Sequence, residues 1–390
     1  MARILISTGE VSGDLHGAAL IYALQRLAPE FGLDVEIQAV GGNRMAATGV
    51  KFLGNTGGIG SVGLLEALPF IVPALRLQFR VREQLRRTPP DVVVLIDYVG
   101  FNFSLGQFAK QHLHSRIVYY IAPQSWVWAG TAKTEQIAKL CDRILAIFAD
   151  EARHYTAYGA QARWVGHPLI DLLRDVPGRT AARAQLGIPP HEKAVVLLPA
   201  SRHQEIRALM PVMFAAARRV QARMPDVRFW VPLSLSQFRP QIEQAIAKHR
   251  LRASVINGQA HVAIAAADLV IAKSGTVNLE TALLNVPQVV MYRVNPVTAW
   301  IARRLLGFKI PFMSPPNLVQ MQPIVPEFLQ EQATPEKISR AALDLLIDPE
   351  LRQQMQDGYA QVRAALLPNH LGQEKVLDRV AREILSLLTQ

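Results

Sequence analysis

The chain has 390 residues, of which 50% are hydrophobic and only 19% charged; this excludes a disordered polymer and provides apolar surface for more than one core. Its formal net charge of +11 calls for an anionic partner, whether a phosphorylated substrate, an acidic lipid surface or nucleic acid. The single cysteine, Cys141, excludes an intrachain disulfide and a zinc site built from cysteines.

Residues 3–8 read as a first strand ended by Gly9, and 15–27 as a helix. The apolar run before Gly9 is too short for the core of a secretory signal, and Glu10 and Asp14 follow at once. Residues 35–40 are a second strand, closed by Gly41-Gly42. Residues 62–87 carry Leu64, Leu68, Ile71, Val72, Leu75 and Phe79 at helical spacing, flanked by Arg76, Arg80, Arg82, Arg86 and Arg87 and interrupted by Pro69 and Pro73. Such a stripe reads either as core or as a segment lying in a membrane interface. The unbroken run Val-Val-Val-Leu-Ile at 92–96 reads as a parallel strand buried on both faces, and 116–121 and 144–148 add two more.

Between 173 and 192, Pro177-Gly178, Gly187 and Pro189-Pro190 read as a linker. The rhythm then restarts, with strands at 194–198, 228–231, 253–255, 269–272 and 288–291, and helical spacing from 334 onward. No uncharged apolar run reaches the roughly 20 residues that span a bilayer, so any membrane contact is expected to be peripheral. The expected fold class is α/β. Two Rossmann-like, doubly wound domains at 1–172 and 193–365 flank the linker at 173–192, with a helical tail at 366–390 and ligands in a central cleft.

Four junctions carry chemistry. In Ser7-Thr8-Gly9-Glu10-Val11-Ser12-Gly13-Asp14 the glycines allow close backbone approach, but the spacing is not that of a dinucleotide fingerprint. Glu10 and Asp14 put negative charge where a phosphate would sit, which suits a hydroxyl-rich sugar better; alternatively Ser12 or Asp14 simply caps a helix. Asp97 ends the buried strand 92–96, where partial desolvation raises basicity, or it caps the next helix. In Pro199-Ala200-Ser201-Arg202, Ser201 can cap a helix and Arg202 can grip a diphosphate with two parallel hydrogen bonds. In Lys273-Ser274-Gly275-Thr276-Val277-Asn278-Leu279-Glu280, a turn opens a helix and Glu280, one turn on, can accept from vicinal hydroxyls, as ribose recognition beside a phosphate requires. There is no Walker A, H-E-x-x-H or G-x-S-x-G sequence, and the nearest acidic pair, Asp34 and Glu36, sits at a strand edge. No metal is therefore expected, and Arg202 with the helix N-termini would stabilise a leaving diphosphate.

These pieces occur together with Ile96-Asp97 and Phe101-Asn102, Pro123-Gln124-Ser125-Trp126-Val127-Trp128-Ala129, Val165-Gly166-His167-Pro168, and Pro316-Asn317 leading to Val325-Pro326-Glu327-Phe328-Leu329-Gln330. In that order and spacing the chain resembles the lipid-A-disaccharide synthases, family 19 glycosyltransferases, over nearly its whole length. Ala200 departs from the glycine more familiar in the phosphate loop. The resemblance implies a GT-B fold and an inverting condensation of UDP-2,3-diacylglucosamine with 2,3-diacylglucosamine 1-phosphate, giving a β-1,6-linked disaccharide phosphate and UDP. It implies Asp97 as base, with Ser201, Arg202, Ser274, Gly275, Thr276, Glu280 and Asn317 on the UDP side and Glu10, Ser12 and Asp14 toward the acceptor. It places acyl chains along Leu64, Leu68, Ile71, Val72, Leu75 and Phe79. His167 is the second candidate base, although its setting reads equally as a hinge. No cofactor and no nucleic acid are implied; a cytoplasmic enzyme peripherally attached to an anionic inner membrane is, and the oligomeric state, a homodimer included, stays open. Two alternatives remain at this level: another GT-B enzyme on UDP-N-acetylglucosamine (a peptidoglycan transferase or a 2-epimerase), and a non-catalytic basic binder of membrane or nucleic acid.

Overall fold

Short runs of aliphatic and β-branched residues become the strands of two separate parallel sheets. The computed structural model describes residues 1–9, 11–56, 71–123, 131–199, 203–233, 235–293, 312–368 and 374–389. The first sheet contains β1 (Ala2–Thr8), β2 (Val35–Gly41), β3 (Lys51–Asn55), β4 (Val92–Ile96), β5 (Arg116–Tyr120), β6 (Arg143–Ala146) and β7 (Ala162–Trp164), in the order β3-β2-β1-β4-β5-β6-β7. The second contains β8 (Ala194–Leu198), β9 (Arg228–Leu233), β10 (Ala253–Asn257), β11 (Leu269–Lys273), β12 (Gln288–Tyr292) and β13 (Glu327–Leu329), in the order β10-β9-β8-β11-β12-β13. In each sheet the order reverses beside the first strand, so crossovers leave β1/β4 and β8/β11 in opposite directions. That opens a crevice at their carboxyl ends, where α/β sheets bind ligands.

The chain divides into Met1–Asp171 with Leu366–Gln390, and Leu172–Ala365. The last helix, Val376–Leu388, packs on the helix Val11–Leu27 of the first unit. Val376, Leu377, Val380, Ile384 and Leu385 recur at helical spacing and are buried; burying each such side chain contributes about 1.5 to 3 kcal/mol. Arg143, itself buried, pairs with Glu383 of that helix at 2.9 Å, and Leu377 N donates to Asp171 Oδ2 at 2.9 Å.

The stretch 173–192 differs from a plain linker. Arg179–Leu186 is a helix whose Ala182 is buried in the second unit, as is Ile188 just beyond it. Arg183 donates to the carbonyls of Ala266 and Pro189 at 3.1 and 2.6 Å. Gly178 and Gly187 are the caps of this short helix, Gly187 with φ 66°. The glycine punctuation thus ends an element rather than a domain.

The helix Ile71–Arg87 turns Leu77, Val81 and Leu85 into the core. Ile71, Val72, Leu75 and Phe79 stay 46–66% exposed, so this part of the predicted stripe is a surface face; Leu64 and Leu68 lie outside the described residues. Pro73 falls in the first turn, where a missing N–H costs nothing, and does not break the helix. Among the described residues no helix is long and apolar enough to cross a membrane.

Candidate active site

In the first unit the site residues gather at the carboxyl ends of β1, β2 and β4. A Cβ on Gly9 would lie 2.0 Å from Cδ1 of Tyr98, and one on Gly13 would lie 1.9 Å from Oγ1 of Thr8. Only glycine lets the loop and helix close so tightly on the strand ends. Ser12 is half-buried in the first turn of Val11–Leu27, and Glu10 lies outside the described residues. Asp14, 7% exposed, accepts three backbone N–H groups: Gly42 at 2.9 Å and Met45 at 3.0 Å on Oδ1, and Arg44 at 3.0 Å on Oδ2. Its carboxylate is committed to the turn after β2, so its contribution there is to shape the loop.

Asp97 stands at the end of β4 in left-handed backbone, φ 51°, followed by Tyr98 at φ 48°. Aspartate tolerates this region; tyrosine does so at a cost of about 1 to 3 kcal/mol. The turn is held from every side. Asp97 N donates to the carbonyl of Ile121, itself at φ 58°. The Asp97 carbonyl accepts from Tyr119 Oη at 2.9 Å and Asn102 Nδ2 at 2.8 Å. Asn102, fully buried, also donates to the carbonyls of Ile96 and Ser7 and accepts from Ser7 Oγ at 2.7 Å, tying β1 to β4. The half-buried carboxylate accepts from Tyr98 N at 2.8 Å. Burial, and then the Asp97 charge, raise the Tyr119 hydroxyl well above its ordinary pKa, so it remains a donor.

His167 is buried, and its Nδ1 accepts from Leu169 N at 3.2 Å. Burial, with His16 adding to it, lowers its pKa to about 3. With Nδ1 occupied, the neutral ring carries its proton on Nε2, leaving no lone pair to take another. That favours Asp97 over His167 as a base. Glu151 closes the same edge: its Oε2 accepts from Ile147 N at 2.9 Å and Phe148 N at 3.3 Å, and burial pushes its pKa up to about 8.

In the second unit β11 runs into Ser274-Gly275-Thr276 and the helix Val277–Leu283. Ser274 Oγ donates to the Met313 carbonyl at 2.6 Å, and Gly275 N donates to Asn278 Oδ1 at 2.8 Å. Asn317, fully buried, donates to the Val325 carbonyl at 2.9 Å and accepts from Val325 N at 2.8 Å. These three polar groups hold the loops. The Thr276 hydroxyl makes no hydrogen bond among the described residues, and Glu280 is bonded through one oxygen, to His261 Nε2 at 3.0 Å. Lys273 Nζ pairs with Glu205 Oε1 at 2.9 Å, joining the end of β11 to the first turn of His203–Arg223; Ser201 and Arg202 just before it lie outside the described residues. Among the described residues no three His, Cys, Asp or Glu side chains cluster as a metal set.

The lipid-A-disaccharide synthetase family profile matches residues 4–379. The chain belongs to this family. A lipid-A-disaccharide synthase from Gloeothece citriformis is 50% identical over 385 residues, covering 98% of this chain and 99% of its own. Another from Synechocystis is 47% identical over 387 residues, covering 98% and 97%. The solved UDP-N-acetylglucosamine 2-epimerase from Neisseria meningitidis, bound to UDP-GlcNAc, matches with a TM-score of 0.63 at 13% identity, covering 100% of each chain, a likeness of fold. The chain is thus a glycosyltransferase of lipid A biosynthesis on a GT-B fold. The epimerase alternative shares its architecture, and the reading as a non-catalytic binder falls away.

Sequence reasoning overlooked Tyr119 and His261, and it quoted Asn102 without giving it a role. Asn102 had a signal, an amide five residues after Asp97 opening a helix. Tyr119 had none: its hydroxyl reaches Asp97 because β5 pairs Tyr119 with Leu95, a register visible only in the sheet.

Proposed function

We propose that the chain transfers a 2,3-diacylglucosaminyl group from UDP to the 6-hydroxyl of 2,3-diacylglucosamine 1-phosphate. Asp97 takes the hydroxyl proton as that oxygen attacks the anomeric carbon, and the bond from this carbon to the UDP β-phosphate oxygen breaks with inversion. The observation that carries this reading is the Asp97 turn: a carboxylate at the carboxyl end of a buried strand, in a left-handed turn that the side chains of Asn102, Tyr119 and Ser7 and a neighbouring strand hold in place. A strained turn held in this way at a ligand-binding strand end supports a working role for Asp97.

On the donor side Arg202 and Thr276 face the diphosphate and Glu280 the ribose. Ser274, Gly275 and Asn317 build the loops through bonds to Met313, Asn278 and Val325, and Ser201 belongs with Arg202 to the UDP side. On the acceptor side Glu10 and Ser12 meet the sugar, and Asp14 holds the loop that frames them. The exposed face Ile71, Val72, Leu75 and Phe79 receives acyl chains and, with Leu64 and Leu68, sits on the cytoplasmic face of the inner membrane. Arg76 and Arg80 beside it have no ion pair among the described residues, and each basic group near an anionic surface adds about 1 kcal/mol.

The test is mass spectrometry of the product from UDP-2,3-diacylglucosamine and the monosaccharide phosphate, with Asp97→Asn as control. The disaccharide phosphate should form, and Asp97→Asn should lower turnover by about 10² to 10⁴-fold with UDP affinity kept. Near-normal turnover in a folded Asp97→Asn protein would remove the base from this mechanism.

A further inference from the structure

Glu280 lies one turn into the helix Val277–Leu283 with its side chain 14% exposed. Its Oε2 meets Nε2 of His261 at 3.0 Å, and Oε1 makes no hydrogen bond among the described residues. His261 comes from a separate element, the helix Ala260–Ala266 that follows β10. That helix is a rigid platform: Ala263, Ile264, Ala265 and Ala266 are all buried in the core of the second unit. Its start is set by Gln259 in left-handed backbone, φ 53°. The imidazole is 34% exposed, so the pair is reached by solvent without being loose.

A glutamate side chain has three rotors, and an unrestrained one must be ordered each time a ligand binds. Here one carboxylate oxygen is tied down by a donor on a neighbouring helix, while the other is left to accept. We infer that His261 is the positioning residue for nucleoside specificity: it donates Nε2–H to Glu280 Oε2 and so holds Oε1 ready for a ribose hydroxyl. This rests on the reading of Glu280 as the ribose ligand. The arrangement distinguishes a ribonucleotide from a deoxyribonucleotide, because a carboxylate oxygen held in place and deprived of its hydroxyl donor is left unpaired. Preorganisation of this kind appears in ligand discrimination rather than in fold stability.

The experiment is calorimetric titration of the full-length protein with UDP and with 2′-deoxy- and 3′-deoxy-UDP, beside melting curves. The variants are Glu280→Ala, His261→Leu and His261→Gln. The native protein should prefer UDP over at least one deoxy analogue by about tenfold. His261→Leu should keep the melting temperature and bring that preference to within about threefold, by weakening UDP while leaving the analogue unchanged. His261→Gln, whose amide N–H can donate to the same oxygen, should restore it. Loss of preference in Glu280→Ala but not in His261→Leu overturns the role of His261 alone. An unchanged preference in both overturns the ribose reading of Glu280 on which it rests. Equal weakening of UDP and the analogues in His261→Leu also overturns the proposal, since it marks general damage to the site.

Discussion

Asp14→Ala is the sharpest test of how the acceptor loop is built. The carboxylate accepts N–H groups from Gly42, Arg44 and Met45 at 2.9 to 3.0 Å and is almost fully buried. A hydrogen bond to a charged group contributes about 1.5 to 3 kcal/mol, and removing its acceptor leaves the buried donor unsatisfied. Three such bonds do not add in full, because the turn relaxes and water reaches part of it, so a loss of about 3 to 5 kcal/mol is expected. For a body of 150 to 250 residues each kcal/mol moves the melting temperature by about 2 to 4 °C, so the transition should fall by about 6 to 20 °C. Asp14→Asn should be intermediate. One amide oxygen can keep the Gly42 and Met45 bonds, but the amide nitrogen then faces the Arg44 N–H, donor against donor. Differential scanning calorimetry measures both variants, with acceptor KM measured on the folded fraction. A melting temperature within about 1 °C of the native protein, together with a KM raised tenfold or more, would show that the carboxylate serves the acceptor directly and would refute this reasoning.

Three further outcomes are expected. Asn102→Ala, which cuts the ties from Ser7, Ile96 and Asp97, should lower kcat more than UDP affinity in single-turnover assays, and equal losses in both would argue against a role in holding Asp97. His16 and His167 are held neutral by burial, with pKa values lowered to about 4 and about 3. The unfolded chain takes up protons below about pH 6.5 while the folded chain does not, so stability should fall by about 3 kcal/mol between pH 6.5 and 5; a flat denaturation midpoint across that window would contradict it. Replacing Ile71, Leu75 and Phe79 with serine should abolish sedimentation with anionic vesicles and leave the melting temperature nearly unchanged, because all three are exposed; a large loss of stability would show that this face is covered in the folded protein.

Much of this protein is legible in its sequence because the underlying constraints are local. A strand covered on both faces has to be apolar without alternation, and 92–96 is. Loops that let a helix close on a strand end need residues without a Cβ, which marks Gly9 and Gly13. A carboxylate directly after a buried strand, Asp97, stands where such sheets bind ligands, and the order of the motifs pointed to the family.

The tertiary structure alone decided what each polar group meets. In sequence Asp14 and Asp97 are both acidic residues near a strand end; folding commits Asp14 to three N–H groups about thirty residues away, while Asp97 stands in a strained turn held by β1 and β5. The Pro and Gly of 173–192 look like a linker until Ala182 and Ile188 are seen buried in the second unit. His261 and Glu280 belong to different helices, and nothing in either segment announces the other. The physical reason is common to all of these. Periodicity and turn chemistry follow from neighbours along the chain, whereas a hydrogen-bond partner is chosen by packing through space, and a side chain's polarity does not say which donor the fold will bring to it.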